Sequence, residues 1–168
     1  MANVKISELA ALTTPAPDDK LVIVDASEAL DADKTKYITV GNLRAGATVL
    51  TTPLTSTAWD GDSYSTTPKT KIDLSSVFSA PAGIKAVLLE AAARDSGSAG
   101  KETLIRFSPN DTANSSAMEC YLTGRANDQF NVSSGICPCD ANGDIYYQIT
   151  ASGANSMDVY LRIWGYWL

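Results

Sequence analysis

The strongest candidates for metal binding or nucleophilic chemistry are three cysteines, Cys120, Cys137 and Cys139. Cys137 and Cys139 flank one proline, a spacing that suits a ligand pair, but structural zinc sites take four Cys or His ligands and the sequence contains no histidine. The lack of histidine also excludes Ser-His-Asp and Cys-His catalysis. An odd cysteine count argues against a disulfide framework. We therefore predict no metal site and no cofactor, and interpret the thiols as partly buried side chains.

Two short motifs resemble ligand-binding loops without meeting their requirements. GSAGK, at 97–101, lacks the first glycine of a phosphate loop and the Ser or Thr after its lysine. DANGD, at 140–144, has its glycine fourth instead of sixth and no closing glutamate, so a tight turn explains it better than a calcium loop. A pair of converging carboxylates, as in glycosidases, stays open as a background alternative. Our prediction is that the protein is not an enzyme.

The overall charge limits the classes of partner. With a net charge of −6 at pH 7 the chain is poorly suited to neutralising phosphates, so we predict no nucleic-acid partner. The sequence contains no run of about 18 apolar residues, which predicts no membrane insertion. Its first residues lack the charged-then-apolar layout of a signal peptide, which predicts synthesis in a cytoplasm.

The first 45 residues differ in pattern from the rest of the chain. Ser7 is a candidate N-cap for one or two helical turns, and proline-rich TTPAP ends that pattern. Two short strands are predicted after it, LVIVD at 21–25 and KYITVGNL at 36–43. So few elements bury too little apolar surface to be stable alone. We therefore expect residues 1–45 to need a partner.

The order KISEL, TTPAPDDKLVIVDAS and TKYITVGNL, over residues 4–43, resembles the N-terminal module of many bacteriophage fibre, spike and appendage proteins. The resemblance implies a module for virion attachment or trimerisation. One departure is AALTTPAP, where family members often have proline directly after the leucine. The structural positions that the resemblance implies are Ile6, Leu9, Leu21, Ile23, Ile38, Val40 and Leu43.

Residues 57–168 contain strand signals at regular spacing, separated by turn sequences such as APAG, DSGSAG and ANGD. This spacing predicts an all-β fold, an antiparallel β-sandwich or jelly roll. The preceding residues, 46–56, are small and threonine-rich, and we interpret them as a linker between the N-terminal module and this domain. The predicted strands are 57–64, 70–74, 84–93, 102–107, 117–122, 128–132, 144–150 and 157–167.

One predicted strand conflicts with local propensity. KAVLLEAAARD, at 85–95, consists mainly of good helix formers. Its odd positions Val87, Leu89, Ala91 and Ala93 would also form one apolar sheet face, and we predict a strand because propensity yields to tertiary context.

The last segment, MDVYLRIWGYWL, is the most aromatic of the sequence. Strict alternation would place Val159, Leu161, Ile163 and Trp167 on the inner face of a strand. Its other face is too aromatic for ordinary solvent exposure, and Tyr and Trp around an Arg are typical of a protein contact or a sugar-stacking surface. This segment also resembles the closing strand of jelly rolls in phage fibre and decoration proteins. The candidate interface or ligand residues are Tyr160, Arg162, Trp164 and Tyr166.

Two functions agree with these features. The first is a structural virion protein, a short homotrimeric capsid fibre, decoration protein or tail appendage. Its N-terminal module would bind other virion proteins, and its jelly roll would project outward. The alternative is a receptor-binding protein whose jelly roll recognises a host surface glycan. Either function implies a location in the virion after synthesis in the host cytoplasm.

Overall fold

The computed structural model describes residues 20–24, 35–39 and 46–168. The chain divides into two compact units, Met1–Ala45 and Gly46–Leu168. In the described part of the chain, no helix is long and apolar enough to cross a membrane.

The first unit contains two strands that overlap the segments predicted from the sequence. Strand β1 (Lys20–Val24) pairs antiparallel with β2 (Thr35–Thr39), and the register places Leu21 opposite Ile38. The predicted helical turn beginning at Ser7 lies outside the described residues.

Residues 46–168 fold mainly into antiparallel β-strands, which confirms the predicted all-β class. Two short helices accompany them, a 3-10 helix (Thr57–Trp59) and α1 (Leu74–Phe78). The strands of this unit are β3 (Ala47–Leu54), β4 (Asp60–Tyr64), β5 (Thr67–Ile72), β6 (Ala86–Asp95), β7 (Leu104–Ser108), β8 (Met118–Tyr121), β9 (Asn131–Pro138), β10 (Ile145–Thr150) and β11 (Met157–Trp167).

These strands form two sheets. The four-stranded sheet has the order β5-β10-β7-β8. In the five-stranded sheet, β11 pairs with β6 along one side, and β9 lies beyond β6. Along its other side, β11 pairs first with β4 and then with β3. Four of the pairings are nested in the chain, because β7 pairs with β8, β6 with β9, β5 with β10 and β4 with β11.

The inner faces of the two sheets share one hydrophobic core, so this unit is a β-sandwich. Strict alternation on β6 places its odd-numbered side chains in that core, which confirms a strand in place of a helix at 86–95. The long strand β11 is buried in the same alternating way through Ile163. Fully buried core residues from the two sheets include Val87, Leu89, Ala91, Ile105, Phe107, Cys120, Ile145, Leu161 and Ile163.

The predicted linker at 46–56 is wrong, because residues 47–54 form β3 at the edge of the five-stranded sheet. Its pairing with β11 is irregular: Leu54 lies opposite Ile163, and Val49 lies opposite Gly165. An edge strand tolerates Pro53, which has no N–H to donate.

Two further elements differ from the sequence prediction. The strand predicted at 128–132 is observed over Asn131–Pro138. Helix α1 was not predicted, although Asp73 is an ordinary N-cap whose carboxylate accepts a hydrogen bond from the N–H of Ser76 at 3.0 Å.

Candidate functional site

The outer face of the five-stranded sheet presents large apolar side chains to solvent. Val49 is 77% exposed on β3, and Val132 (58%) and Ile136 (54%) are exposed on β9. Phe130 precedes β9, and the partly exposed Leu88 lies on β6. These five residues, Val49, Leu88, Phe130, Val132 and Ile136, are called the apolar face below. Exposed clusters of this kind mark contact sites in soluble proteins.

The strand register explains why these side chains meet on one face. Residues directly opposite each other in a sheet point to the same side. Leu88 lies opposite Ile136 on β9 and opposite Gly165 on β11, which in turn lies opposite Val49. Gly165 places no side chain between Leu88 and Val49. A larger residue would not fit there, because its Cβ would lie 2.7 Å from the carbonyl oxygen of Thr48.

Two ion pairs lie on this outer face. Arg162 Nη1 donates to Glu90 Oε1 at 2.7 Å, between β11 and β6. Nearer the other end of the strands, Arg94 Nε donates to Asp158 Oδ2 at 2.8 Å. The two pairs contribute no net charge, although the chain as a whole carries −6.

An aromatic contact crosses the sheet beside these ion pairs. The rings of Phe130 and Tyr160 are tilted, with centroids 5.8 Å apart, and the guanidinium of Arg94 lies 5.0 Å from the Phe130 centroid. Between them, the register places Ala92 opposite both Tyr160 and Val132. The small side chain of Ala92 leaves room for the two rings to meet above β6.

The four residues predicted to share one aromatic face of the last strand do not do so. Tyr160 and Arg162 lie opposite Ala92 and Glu90, on the outer side. The register then shifts at Trp164, a partly exposed extra residue between Ile163 and Gly165. Beyond this bulge the alternation is reversed. Tyr166 therefore packs against the core, opposite the buried Val87, and the predicted inward position of Trp167 is wrong.

The structural positions implied for the N-terminal module lie partly outside the described residues. Leu21 and Ile23 are in β1, and Ile38 is in β2. The remaining predicted positions, Ile6, Leu9, Val40 and Leu43, lie outside the part of the chain that the structure describes.

A small pocket lies between β4 and β3, which pair with successive parts of the same side of β11. On this side of β11, Tyr160 pairs with Asp60 of β4, and Ile163 pairs with Leu54 of β3. The two residues between them, Leu161 and Arg162, have no strand partner on that side within residues 46–168. The pocket has a volume of about 290 Å³. Its lining residues are Thr55, Trp59, Asp60, Tyr160, Leu161 and Arg162.

Aromatic packing makes the walls of this pocket rigid. Trp59 is buried, stacks on Tyr64 with a centroid distance of 4.8 Å, and meets the ring of Tyr147 edge-on at 4.9 Å. The Tyr64 hydroxyl donates to the carbonyl of Ala58 at 2.6 Å, and burial raises the pKa of that hydroxyl. Gly61, at φ +113°, lies under the Tyr160 ring, since a Cβ there would be 2.5 Å from the Tyr160 hydroxyl oxygen.

The three cysteines are mostly buried and form no disulfide in the described part of the chain. Cys120 and Cys137 are buried, Cys139 is partly buried, and all three are free thiols. Burial, with a smaller contribution from Cys139, raises the pKa of Cys137 to about 12, so its thiol stays protonated at neutral pH. Residues 46–168 contain no cluster of three or more metal-ligating side chains.

The sequence analysis missed most of the apolar face. The alternation in NVSSGICP could have predicted it: in a strand, Val132 and Ile136 point to the face opposite the buried Cys137. Reading that alternation requires β9 to extend to Pro138, and the predicted strand ended at residue 132. No family model and no curated protein matches this chain.

Proposed function

We propose that the protein is a structural virion protein, a short homotrimeric capsid fibre, decoration protein or tail appendage. The observation that supports this most directly is the apolar face, whose Val49, Val132 and Ile136 are more than half exposed and whose neighbouring arginines, Arg94 and Arg162, are each paired with a carboxylate. A surface of this kind is stabilised by burial against protein. In the proposed trimer, each copy buries this face against its neighbours, and the role is non-enzymatic.

We further propose that the sandwich is a jelly roll. Its nested pairings, from β7 with β8 outward to β4 with β11, correspond to one long hairpin wrapped around itself. Wrapping of that kind produces the two Greek keys of a jelly roll. The strand orders β4-β11-β6-β9 and β5-β10-β7-β8 support this topology, with β3 as an added edge strand.

Residues 1–45 are proposed to attach the protein to other virion proteins. The support is the ordered resemblance of residues 4–43 to phage attachment modules, together with the division of the chain at Ala45. Density for this chain in images of the virion would test the attachment and its place on the capsid or tail. A particle in which no copy of the chain is found would contradict it.

Assembly is tested by sedimentation of the full chain and of two variants, Val132→Asp and Ile136→Asp. The native chain should be a trimer at micromolar concentration, and either charge should shift it to monomer because a buried, unpaired carboxylate is costly. Tyr121→Asp is the matched control, since Tyr121 is 46% exposed on the outer side of the four-stranded sheet. A native monomer, or equal dissociation in all three variants, would count against the proposed trimer.

A further inference from the structure

We propose that the pocket at the junction of β3 and β4 binds a neutral pyranose sugar. This inference goes beyond assembly and does not depend on it. The pocket lies on the β3/β4 side of β11, away from the strand β9 that presents Val132 and Ile136, and its lining residue Tyr160 also contacts Phe130 of the apolar face.

The break in the sheet edge leaves backbone groups for a ligand. In an antiparallel strand, successive residues direct their N–H and C=O groups to alternate sides. Leu161 and Arg162 face no strand on the β3/β4 side in residues 46–168, so one of them directs backbone groups towards the pocket. A backbone group there that the flanking ladder pairs leave unbonded takes water or a ligand as its partner.

Three residues with polar side chains line the same opening. Asp60 supplies a carboxylate that accepts hydrogen bonds, Thr55 a hydroxyl that does both, and Arg162 a guanidinium. The ion pair with Glu90 uses only Nη1 of Arg162, and a guanidinium has five N–H donors. Sugar hydroxyls donate and accept at once, so they match this mixture of groups.

Aromatic side chains supply the apolar part of the site. The partly exposed Tyr160 supplies most of the aromatic surface of the pocket, because Trp59, which also lines it, is only 5% exposed and stacks on Tyr64. A pyranose presents ring C–H groups that pack against aromatic surfaces. The volume of about 290 Å³ is at the lower end of the range for small-ligand sites, roughly 300–1,000 Å³, and therefore suits one ring.

Other ligand classes fit less well. A phosphate or another anion would meet Asp60 on a chain of net charge −6. A purely apolar ligand would cover Asp60 and Arg162 without satisfying them. A metal ion would find one carboxylate, and residues 46–168 contain no metal-ligating cluster.

Saturation-transfer NMR on the full chain tests the proposal with D-glucose, D-galactose and D-mannose at millimolar concentration. At least one pyranose should receive saturation from the protein, whereas the open-chain polyol sorbitol should not, because it has similar hydroxyls but no ring face. Asp60→Ala should weaken binding about tenfold, through loss of charge-assisted hydrogen bonds.

Asp62→Ala is the matched control, because Asp62 is an exposed carboxylate on the same strand and does not line the pocket. It should bind as the native chain does. Thr55→Val provides a second site variant should Asp60→Ala fail to fold by its thermal melt, and it should also bind more weakly. No transfer to any of the three sugars, equal transfer to sorbitol, or native affinity in the folded site variant would overturn the proposal.

Discussion

The two sheets of the sandwich turn very different side chains away from the core they share. On the outer side of the four-stranded sheet, Arg106 donates to Glu119 at 2.7 Å and to Asn114 at 3.0 Å. On the outer side of the five-stranded sheet, Val49, Val132 and Ile136 are exposed. The two sheets therefore bury similar inner faces and present opposite outer faces.

From this contrast we infer that the apolar face contributes little to the stability of the isolated fold. Both sheets already contribute buried side chains to one core, such as Phe107 and Leu161, and the four-stranded sheet does so with a polar outer face. An exposed apolar side chain gains nothing from burial until another surface covers it. Substitutions in the core and on the two outer faces should therefore affect stability and assembly separately.

The largest effect is expected in the shared core. Phe107→Ala removes a fully buried ring and should lower the free energy of unfolding by about 3–5 kcal/mol, because a cavity replaces lost contacts. Urea denaturation followed by circular dichroism measures this. The loss should be the same at low and high protein concentration, since Phe107 is on neither outer face. A loss below that of the outer-face variants would mean that the core has been misassigned.

The next effect compares one aromatic residue on each outer face. Phe130 and Tyr121 are 44% and 46% exposed, so truncation to alanine removes similar exposed surface. Phe130→Ala should weaken assembly by about 2 kcal/mol or more if its ring is buried at a subunit contact. Tyr121→Ala should leave the sedimentation coefficient unchanged. Equal behaviour of the two variants would remove the distinction between the faces.

The buried carboxylate of Asp95 allows the stability of the fold to be changed without altering the outer face of either sheet. Asp95 accepts hydrogen bonds from the N–H groups of Gly97 (2.7 Å) and Ser152 (3.0 Å) and from the Ser156 hydroxyl (3.0 Å). Asp95→Ala should cost about 1–3 kcal/mol at pH 7 because these donors lose their acceptor. Assembly measured below the melting temperature should not change.

The stability that Asp95 contributes should depend on pH. Burial by itself would raise the pKa of Asp95, but the hydrogen bonds from Ser152, Gly97 and Ser156 outweigh it and lower that pKa. Its stabilising contribution is therefore present above the unfolded value of about 3.9 and is lost as pH falls through the lower folded value. Urea denaturation at pH 7 and in strong acid should show the native protein and Asp95→Ala converging. A constant difference at both values would contradict this.

The smallest change in stability is expected from breaking either of two ion pairs of similar geometry. Glu90→Gln breaks the pair with Arg162 on the apolar side, and Glu119→Gln breaks the pair with Arg106 on the polar side. Each should change the free energy of unfolding by only about 0.2–1 kcal/mol, as partly exposed pairs do. In the proposed trimer, only Glu90→Gln should also alter the association constant. The reverse order in analytical ultracentrifugation would indicate that the other sheet forms the contact.

Sequence alone was sufficient for the parts of the fold with strict alternation. Residues 86–95 form a strand with Val87, Leu89, Ala91 and Ala93 buried, as their alternation predicted, although most of these residues are good helix formers. It was insufficient for β3, where Thr51-Thr52-Pro53 hides the strand period and pairing with β11 supplies the extended conformation. Edge strands depend on a neighbour distant in sequence, and local pattern does not report that neighbour.

The candidate site was less predictable than the fold for a related reason. A bulge at Trp164 inserts one residue into β11, so strict alternation gives the correct face up to Ile163 and the opposite face at Tyr166. Such an insertion depends on the register of both paired strands. The pocket was not predictable either, because Asp60 and Arg162 are far apart in sequence and line the same pocket only through the pairing of β4 with β11.

The neutral ion pairs of the apolar face have a consequence for the rate at which copies would meet. Complementary charges accelerate association by steering, and two pairs that are already satisfied within one chain, Arg94–Asp158 and Glu90–Arg162, provide no such steering. Elsewhere each copy contributes to a net charge of −6, which repels another copy at long range. Association through this face would therefore be slow in dilute buffer and faster as added salt shortens the screening length, from about 30 Å at 0.01 M to about 10 Å at 0.1 M. An interface joined by opposite charges would show the reverse dependence on salt.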